Sequence, residues 1–581
     1  MIGPTVLLAA ILAIVLGLDP LVGAVEPLPE PQVDTRSVEP VAGSSLCTVG
    51  VGGVGAPPTE LPDLPAAEEP GDDTDEDGED GEDGEEDGED GEEAPVDEPE
   101  PTATIIAARP GGPGATPAQL ERIELDDGEA TARSMSNAFP GADTRFTAHG
   151  SDEPAATWLR WREAPVAIGR EWRISGVEGL PDATVAGGCA ASSAGTHVIP
   201  GLSTAGGDDA RIRLANPHRS AASVAVRFAV PGAPESPLAL QNVSVPPNSV
   251  REVVVGDTLP EREDLAAIVE VRTGRLAVEG IQVARAAIGG VSGASLLAAT
   301  TEPAEDWTIP WLLDDDDAEG WLWIVNTGER TAPVELTLHT PDGGQVPDGL
   351  AEVSVPPGEL RRVDLTGTFP EEVREVGVTA RSNGIPIVVS GGVIRTADDP
   401  ARTAYSIQLG GQSDPAWVLS GTGVSERREE LRLVNPEAEP AVVNIALFDG
   451  FLSDEPEGLQ GIEVPPGSTR VIDLSDQLTA TARWSAFVEA SEGRIVVGRV
   501  GSDGGEGPLH LAAVPGIASA TWRAEGVGLA PVQRPGLLTR LGTTGSRVAE
   551  DAPAGLIGSQ TGDEQEEPES EGTEGGVEED G

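Results

Sequence analysis

The sequence predicts an all-β protein made of tandem immunoglobulin-like β-sandwich units of about 110 residues, and three observations carry that reading. Asn216, Asn326 and Asn435 each close a short alternating run, "IRLANP", "LWIVNT" and "LRLVNP", and stand 110 and 109 residues apart. A Val-Pro-Pro follows each Asn at an offset of 29 residues, at Val245, Val355 and Val464. Inside a unit the apolar residues alternate with period two, as in Val224, Val226, Phe228, then Val334, Leu336, Leu338, then Val443, Ile445, Leu447. That is the pattern of strands with one buried face. A β-propeller with two blades per unit is the alternative architecture.

The chain opens with "MIGPTVLLAAILAIVLGLDPLVGAV". Its apolar run from Val6 to Leu18 is short for a membrane span, ends at Asp19-Pro20, and is followed by the small-residue pattern Val22-Gly23-Ala24. Residues 1–24 are therefore expected to be a signal peptide, leaving a secreted or cell-surface chain with no stable membrane span after cleavage. No Lys or Arg precedes the run, so an uncleaved anchor stays open. Residues 25–56 hold an N-terminal segment with one strand, "SSLCTVGVG".

Residues 57–103 read as an acidic disordered insertion. From Glu68 to Glu100 there are 21 acids and no base, a composition that repels itself and cannot bury a core. "DTDEDG" from Asp73 matches the start of an EF-hand loop, but position twelve is Gly84 where a bidentate Glu is needed, so diffuse cation condensation is favoured over a calcium site. Residues 104–196, with "ATIIAAR", "TWLRW" and "EWRISG", read as a degenerate first β unit that includes the strand around Cys47. Three repeats follow at 197–302, 303–412 and 413–530. Trp307 and Trp417 open the second and third, and His197 takes that place in the first. Trp522 repeats the position once more and is expected to lie on a closing strand of repeat 3. Residues 531–581 form an acidic disordered tail.

The balance of 100 acids against 36 bases gives a net charge of -64, which excludes nucleic acid and anionic membrane surfaces as electrostatic partners. The two cysteines, Cys47 and Cys189, suit one disulfide better than a metal site, which needs three or four ligands. A lipid-anchored Cys47 competes, but "SSLC" lacks the small residue expected before such a Cys. His149, His197, His218, His339 and His510 show no ligand spacing, "GVSGA" only approaches a nucleophile elbow, and no phosphate-binding loop exists without Lys. The chain is accordingly expected to have no catalytic residues, no cofactor and no metal, and not to be an enzyme. An envelope hydrolase whose residues the sequence does not display is the weakest reading.

One candidate site comes from comparing repeats. Leu322 and Ile324 align with Ile212 and Leu214 and with Leu431 and Leu433 as the core face. Trp321 and Trp323 align with Arg211 and Arg213 and with Glu430 and Arg432, on the face expected to meet solvent in the sister units. Two Trp there make either a stacking platform for sugar rings or a contact with a neighbouring unit, and packing between consecutive units favours the contact.

The Cys-bearing strand, the second Cys before the first repeat and the recurring "LxLxNP…VxVPPGSxRxVDL" pattern resemble exported actinobacterial proteins catalogued as domain of unknown function 5719. The acidic insertion and Thr327 in place of Pro depart from that pattern. The resemblance implies location and architecture, and carries no activity. The expected function is a non-catalytic, exported cell-envelope scaffold or interaction protein, its partner a cell-wall polymer or another envelope protein. The alternative is a carbohydrate or cell-wall binding protein acting through the Trp pair.

Overall fold

A computed structural model covers residues 42–49, 102–110 and, with short gaps, 115–519. The expected signal peptide, the acidic insertion up to residue 101, the Trp522 strand expected to close repeat 3 and the tail from 531 lie outside the described residues.

The first unit contains β1 (Ala42–Val49), β2 (Thr102–Arg109), β3 (Ala118–Asp126), β4 (Glu129–Ala138), β5 (Ala142–His149), β6 (Ala155–Arg162), β7 (Ala167–Ile174) and β8 (Ala183–Gly188). They form two facing sheets, β1-β6-β3-β4 and β5-β2-β7-β8. Repeat 1 contains β9 (Thr196–Leu202), β10 (Asp209–Asn216), β11 (Ala222–Ala229), β12 (Val243–Val245), β13 (Ser249–Val254), β14 (Leu265–Thr273), β15 (Ala277–Ala284) and β16 (Val291–Ala298). Its sheets are β9-β14-β11-β12 and β13-β10-β15-β16.

Repeat 2 runs through β17 (Asp306–Leu313), β18 (Ala318–Asn326), β19 (Ala332–Thr340), β20 (Gly343–Gln345), β21 (Val353–Val355), β22 (Leu360–Asp364), β23 (Glu375–Ser382), β24 (Ile387–Arg395) and β25 (Thr403–Leu409). Repeat 3 runs through β26 (Ala416–Thr422), β27 (Arg427–Val434), β28 (Ala441–Asp449), β29 (Leu452–Asp454), β30 (Ile462–Val464), β31 (Thr469–Asp473), β32 (Arg483–Glu492), β33 (Val496–Asp503), β34 (Leu511–Pro515) and β35 (Ile517–Ala518). Both repeat the same two-sheet plan, with β17-β23-β19 facing β22-β18-β24-β25 and β26-β32-β28 facing β31-β27-β33-β34. Strand order within each sheet crosses between sheets, so the units are sandwiches, and the propeller alternative is not what forms. Strand β35 pairs with Trp417 and Val418 on β26, and Ser519 then donates its N–H and hydroxyl to the Asp414 carboxylate.

The periodic Asn is a buried clamp. Asn216, Asn326 and Asn435 are fully buried. Each side-chain amide donates to the Val carbonyl 29 residues on, at 3.2, 2.8 and 3.0 Å, and to the carbonyl four residues on, at 2.8, 2.7 and 2.8 Å. Each Oδ1 accepts the N–H two residues on, at His218, Gly328 and Glu437. Two sequence signals 29 residues apart are thus one physical object, an Asx turn that ties a strand end of one sheet to the Val-Pro-Pro of the other. The fourth residue of each Val-Pro-Pro turn is left-handed, Asn248 at φ 49°, Gly358 at 73° and Gly467 at 68°, which is why only Asn or Gly stands there.

The four units close into a ring. Strand β16 pairs in parallel with its counterpart β25, merging one sheet of repeat 1 with one of repeat 2. The inner strands β8, β16, β25 and β34 pack in that cyclic order, β34 returning to β8. Closure is direct: Asp143 of the first unit accepts from the Gly450 N–H at 2.9 Å and from the Ser485 hydroxyl at 2.6 Å, and its own N–H donates to Gly450 O at 3.0 Å. Ala108 and Ala167 share an apolar cluster with Val418 and Phe448 across the same junction.

Candidate functional site

The Trp pair lies in the seam between repeats 1 and 2. Trp321 and Trp323 are each only 2% exposed. The Trp323 indole donates to Asp264 of repeat 1 at 2.7 Å. Its ring lies against Gly201 of β9, where an added Cβ would stand 3.3 Å from it. Trp321 meets Trp323 edge to face, stacks on Tyr405 and carries the Arg362 guanidinium 4.4 Å above its ring. Burial pushes the Asp264 carboxyl pKa up, against the opposing pull of the Trp323 hydrogen bond and Arg362. Burial likewise pushes the Tyr405 phenol well above its ordinary value.

One expectation is corrected here. The second face of these strands is not a solvent face in the sister units either, since Arg213, Glu430 and Arg432 are all at most 3% exposed. The clamp strand itself is largely buried on both faces, against its own partner sheet and against the preceding unit, while the edge strands β13, β22 and β31 beside it keep exposed residues. Trp321 and Trp323 lie in the contact between repeats 1 and 2 and not on an open face.

Charge fills the other seams. Between the first unit and repeat 1, Arg170 pairs with Glu279 at 2.9 Å and Arg213 with Glu252 at 3.0 Å, and both guanidiniums face Trp172. Between repeats 2 and 3, Arg432 contacts Glu430 and Glu375, while His339 bonds Gly467 O at 2.9 Å and Thr379 at 2.7 Å. Across the closing seam Arg499 joins Glu429 at 2.7 Å and Glu171 at 3.5 Å. Burial works against the Arg499 charge, but the two carboxylates outweigh it and its pKa is raised. These seams bury ion pairs with hydrogen-bonded geometry, the condition under which such pairs are tolerated.

Cys47 and Cys189 form a disulfide that ties β1 to the chain just past β8. Ser192 Oγ stands 3.2 Å from His218 Nε2, with Trp158 edge-on to the imidazole. Among the described residues no group of three His, Cys, Asp or Glu is placed to hold a metal ion.

The connections divide the ring into two unlike ends. Asp209 pairs with Val283, Ala318 with Arg395 and Arg427 with Asp503, and in the first unit Thr102 pairs with Arg173. The strand ends that flank residues 50–101, 203–208, 314–317 and 423–426, just ahead of the clamp strand, lie at this end of each unit. The acidic insertion and "DDDD" at 314–317 thus occupy equivalent connections, which their shared place before that strand could have told. The opposite end carries the tight turns, including the left-handed Gly274, Gly384 and Gly493. The parallel pairing of β16 and β25 orients repeats 1 and 2 alike.

A family model described as "Family of unknown function (DUF5719)" matches residues 150–409 and 411–515. The chain belongs to this family. The DUF5719 match takes in all three repeats and the last three strands of the first unit. No curated protein matches the chain. Among solved structures, the crystal structure of Thermotoga maritima 1070 is similar over 19% of this chain and 97% of its own, with 18% identity and a TM-score of 0.16. The first unit also carries the DUF5719 clamp in altered form. "IIAARP" at 105–110 aligns with "IRLANP", and the Gly141 N–H reaches Arg109 O at 2.9 Å as the Gly358 N–H reaches Asn326 O at 3.0 Å. Arg for Asn and Phe-Pro-Gly for Pro-Pro-Gly hid this copy from the sequence pattern.

Proposed function

We propose that this DUF5719 protein is an exported, non-catalytic scaffold of the cell envelope whose acidic end binds a basic surface of another envelope protein. The observation that carries the reading is that the strand ends bounding the connections that vary most between units, two of them strongly acidic in sequence, lie at the same end of each sandwich. A rigid ring presenting variable loops at one end is the usual division of labour between scaffold and recognition, and the net charge of -64 selects a cationic partner. The disulfide and the N-terminal apolar segment support an oxidising, extracytoplasmic location.

Photo-cross-linking in the native cell tests it, with the reactive side chain placed at Asp316 on the acidic end or at Asn383 in the hairpin of the opposite end. Salt-sensitive adducts to envelope proteins from Asp316 and few from Asn383 are expected. Adducts from neither position, equal yields from both, or recovery of the chain in the cytoplasm would overturn the proposal.

A further inference from the structure

Strand β1 stands alone in sequence and sits at the centre of the first seam. Residues 50–101 separate it from β2, yet all eight of its residues pair with β6, from Ala42↔Arg162 to Val49↔Ala155. Leu46, Cys47, Thr48 and Val49 are buried. The Thr48 hydroxyl donates to Glu279 Oε2 at 2.7 Å and its N–H reaches the same oxygen at 3.3 Å. Its carbonyl accepts from Arg170 at 2.9 Å, and Val49 O accepts from Arg213 at 3.4 Å. Leu46 exchanges two backbone bonds with Ala190, and Cys47 is bonded to the neighbouring Cys189. Without β1, two guanidiniums and a carboxylate from two different units would be left buried and short of partners. The groove between β6 and repeat 1 therefore reads an extended segment in detail: a backbone ladder, a hydroxyl at one position, a thiol beside it.

We infer that this groove is a strand-acceptor site that residues 42–49 of a second copy can fill, so that two chains assemble by exchanging β1 and are locked by Cys47–Cys189 disulfides between copies. The sequence that satisfies the groove is the chain's own, which makes a second copy the fitting occupant. Residues 50–101 give the reach, since that many residues span on the order of 170 Å at full extension, enough for the chain's own groove or a neighbour's. Which one is filled is then set by concentration against the effective concentration of the tethered strand. The bond forms by exchange with a low-molecular-weight disulfide: one protein thiolate attacks it and releases a thiol, and the second protein thiolate displaces the other thiol. Two protein cysteines are oxidised and one small disulfide is reduced to two thiols.

The test uses full-length chains. Cys47→Ser and Cys189→Ser variants are mixed with a glutathione redox buffer, so that a Cys47–Cys189 bond can form only between copies. A heterodimer whose bond maps to Cys47–Cys189 by mass spectrometry is expected, its yield rising with concentration and lost when the Cys189→Ser chain also carries Thr48→Pro, which removes the N–H and the hydroxyl that Glu279 accepts. No heterodimer, or one indifferent to Thr48→Pro, would overturn the inference. Should either Cys variant misfold, two differently tagged wild-type chains, reduced and reoxidised together, give the same readout: a mixed Cys47–Cys189 pair supports the exchange, and exclusively intrachain pairs refute it.

Discussion

Replacing Asn435 by Ala tests the periodic clamp most directly. The side chain is fully buried and makes three hydrogen bonds, two donated to Glu439 O and Val464 O at 2.8 and 3.0 Å and one accepted from the Glu437 N–H at 3.0 Å. At about 1 kcal/mol each these bonds contribute about 3 kcal/mol. Ala also leaves two carbonyls facing a site closed to water, which places the cost toward the upper side of that figure. Asn435→Asp should cost more than Ala, because it aims a carboxylate, with no donor, at the same two carbonyl oxygens. A ring of four packed units does not melt as a single two-state unit, so the assay is native-state hydrogen exchange of β27, β28 and β30, with β10 and β11 of repeat 1 as internal control. Protection lost in repeat 3 by the stated amount, with repeat 1 unchanged, is the expected outcome. A cost below about 0.5 kcal/mol for Ala, or an Asp variant as stable as the parent, would refute the clamp as the reason for the motif.

Reduction of Cys47–Cys189 removes a cross-link closing a loop with a sequence separation of 142, for which loop entropy gives at most about 5 kcal/mol, read as a lower urea midpoint for the first unit. Burial lowers the His197 pKa to about 4 from an unfolded value of 6.5, so the unfolded chain takes up the proton first: this contribution is intact above pH 6.5 and is lost as pH falls towards 4, by on the order of 3 kcal/mol. His197→Trp, the residue of the sister repeats, should flatten that part of the urea-midpoint profile relative to the parent. Trp323→Ala should cost about 3 to 5 kcal/mol by opening the seam at Gly201 and stripping Asp264 of its donor, seen as faster exchange in both β9 and β18. Exchanging the seam pairs, with Trp321 and Trp323 replaced by Arg as in repeat 1, should destabilise the junction of repeats 1 and 2 by a comparable amount, because Arg362 and Ser390 flank position 323 where Glu252 and Glu279 flank Arg213.

The period, the strands and the sandwich class were legible because they rest on local rules. Alternating Val224, Val226 and Phe228 and the turn-forming Pro-Pro-Gly say what they are without knowing their neighbours. The clamp was half legible: Asn435 closes an alternating run in the sequence, but its bond to Val464 O is a contact across two sheets, visible in sequence only as a constant offset of 29. The faces of the clamp strand misled because alternation of apolar and charged residues normally means one wet face. Here Arg213 is compensated by Glu252, and Arg432 by Glu375 of another unit, and pairing of that kind leaves no periodic trace. Ring closure was not legible either, since it rests on a few contacts such as Asp143 with Ser485, hundreds of residues apart.

A ring of similar units has a problem that a single sandwich lacks. Each unit offers the same kind of sheet to its neighbour, so equivalent seams would let repeats pair out of order while folding, a characteristic failure of repeat proteins. The four seams are unlike in chemistry. The first joins two Arg to two Glu around Trp172, the second is aromatic with Asp264, the third sets Arg432 between carboxylates with His339 beside it, and the last buries Arg499 against Glu429 and Glu171. Docking repeat 2 on the first unit would bury Trp323 where Arg213 belongs and leave Arg170 of the first unit without Glu279, a mismatch that costs more than the correct pairing gains over water. The residues that break the repeat pattern are therefore the ones that give the repeats their order, and the Trp pair of the middle copy, packed against Gly201 and Asp264, belongs to that set.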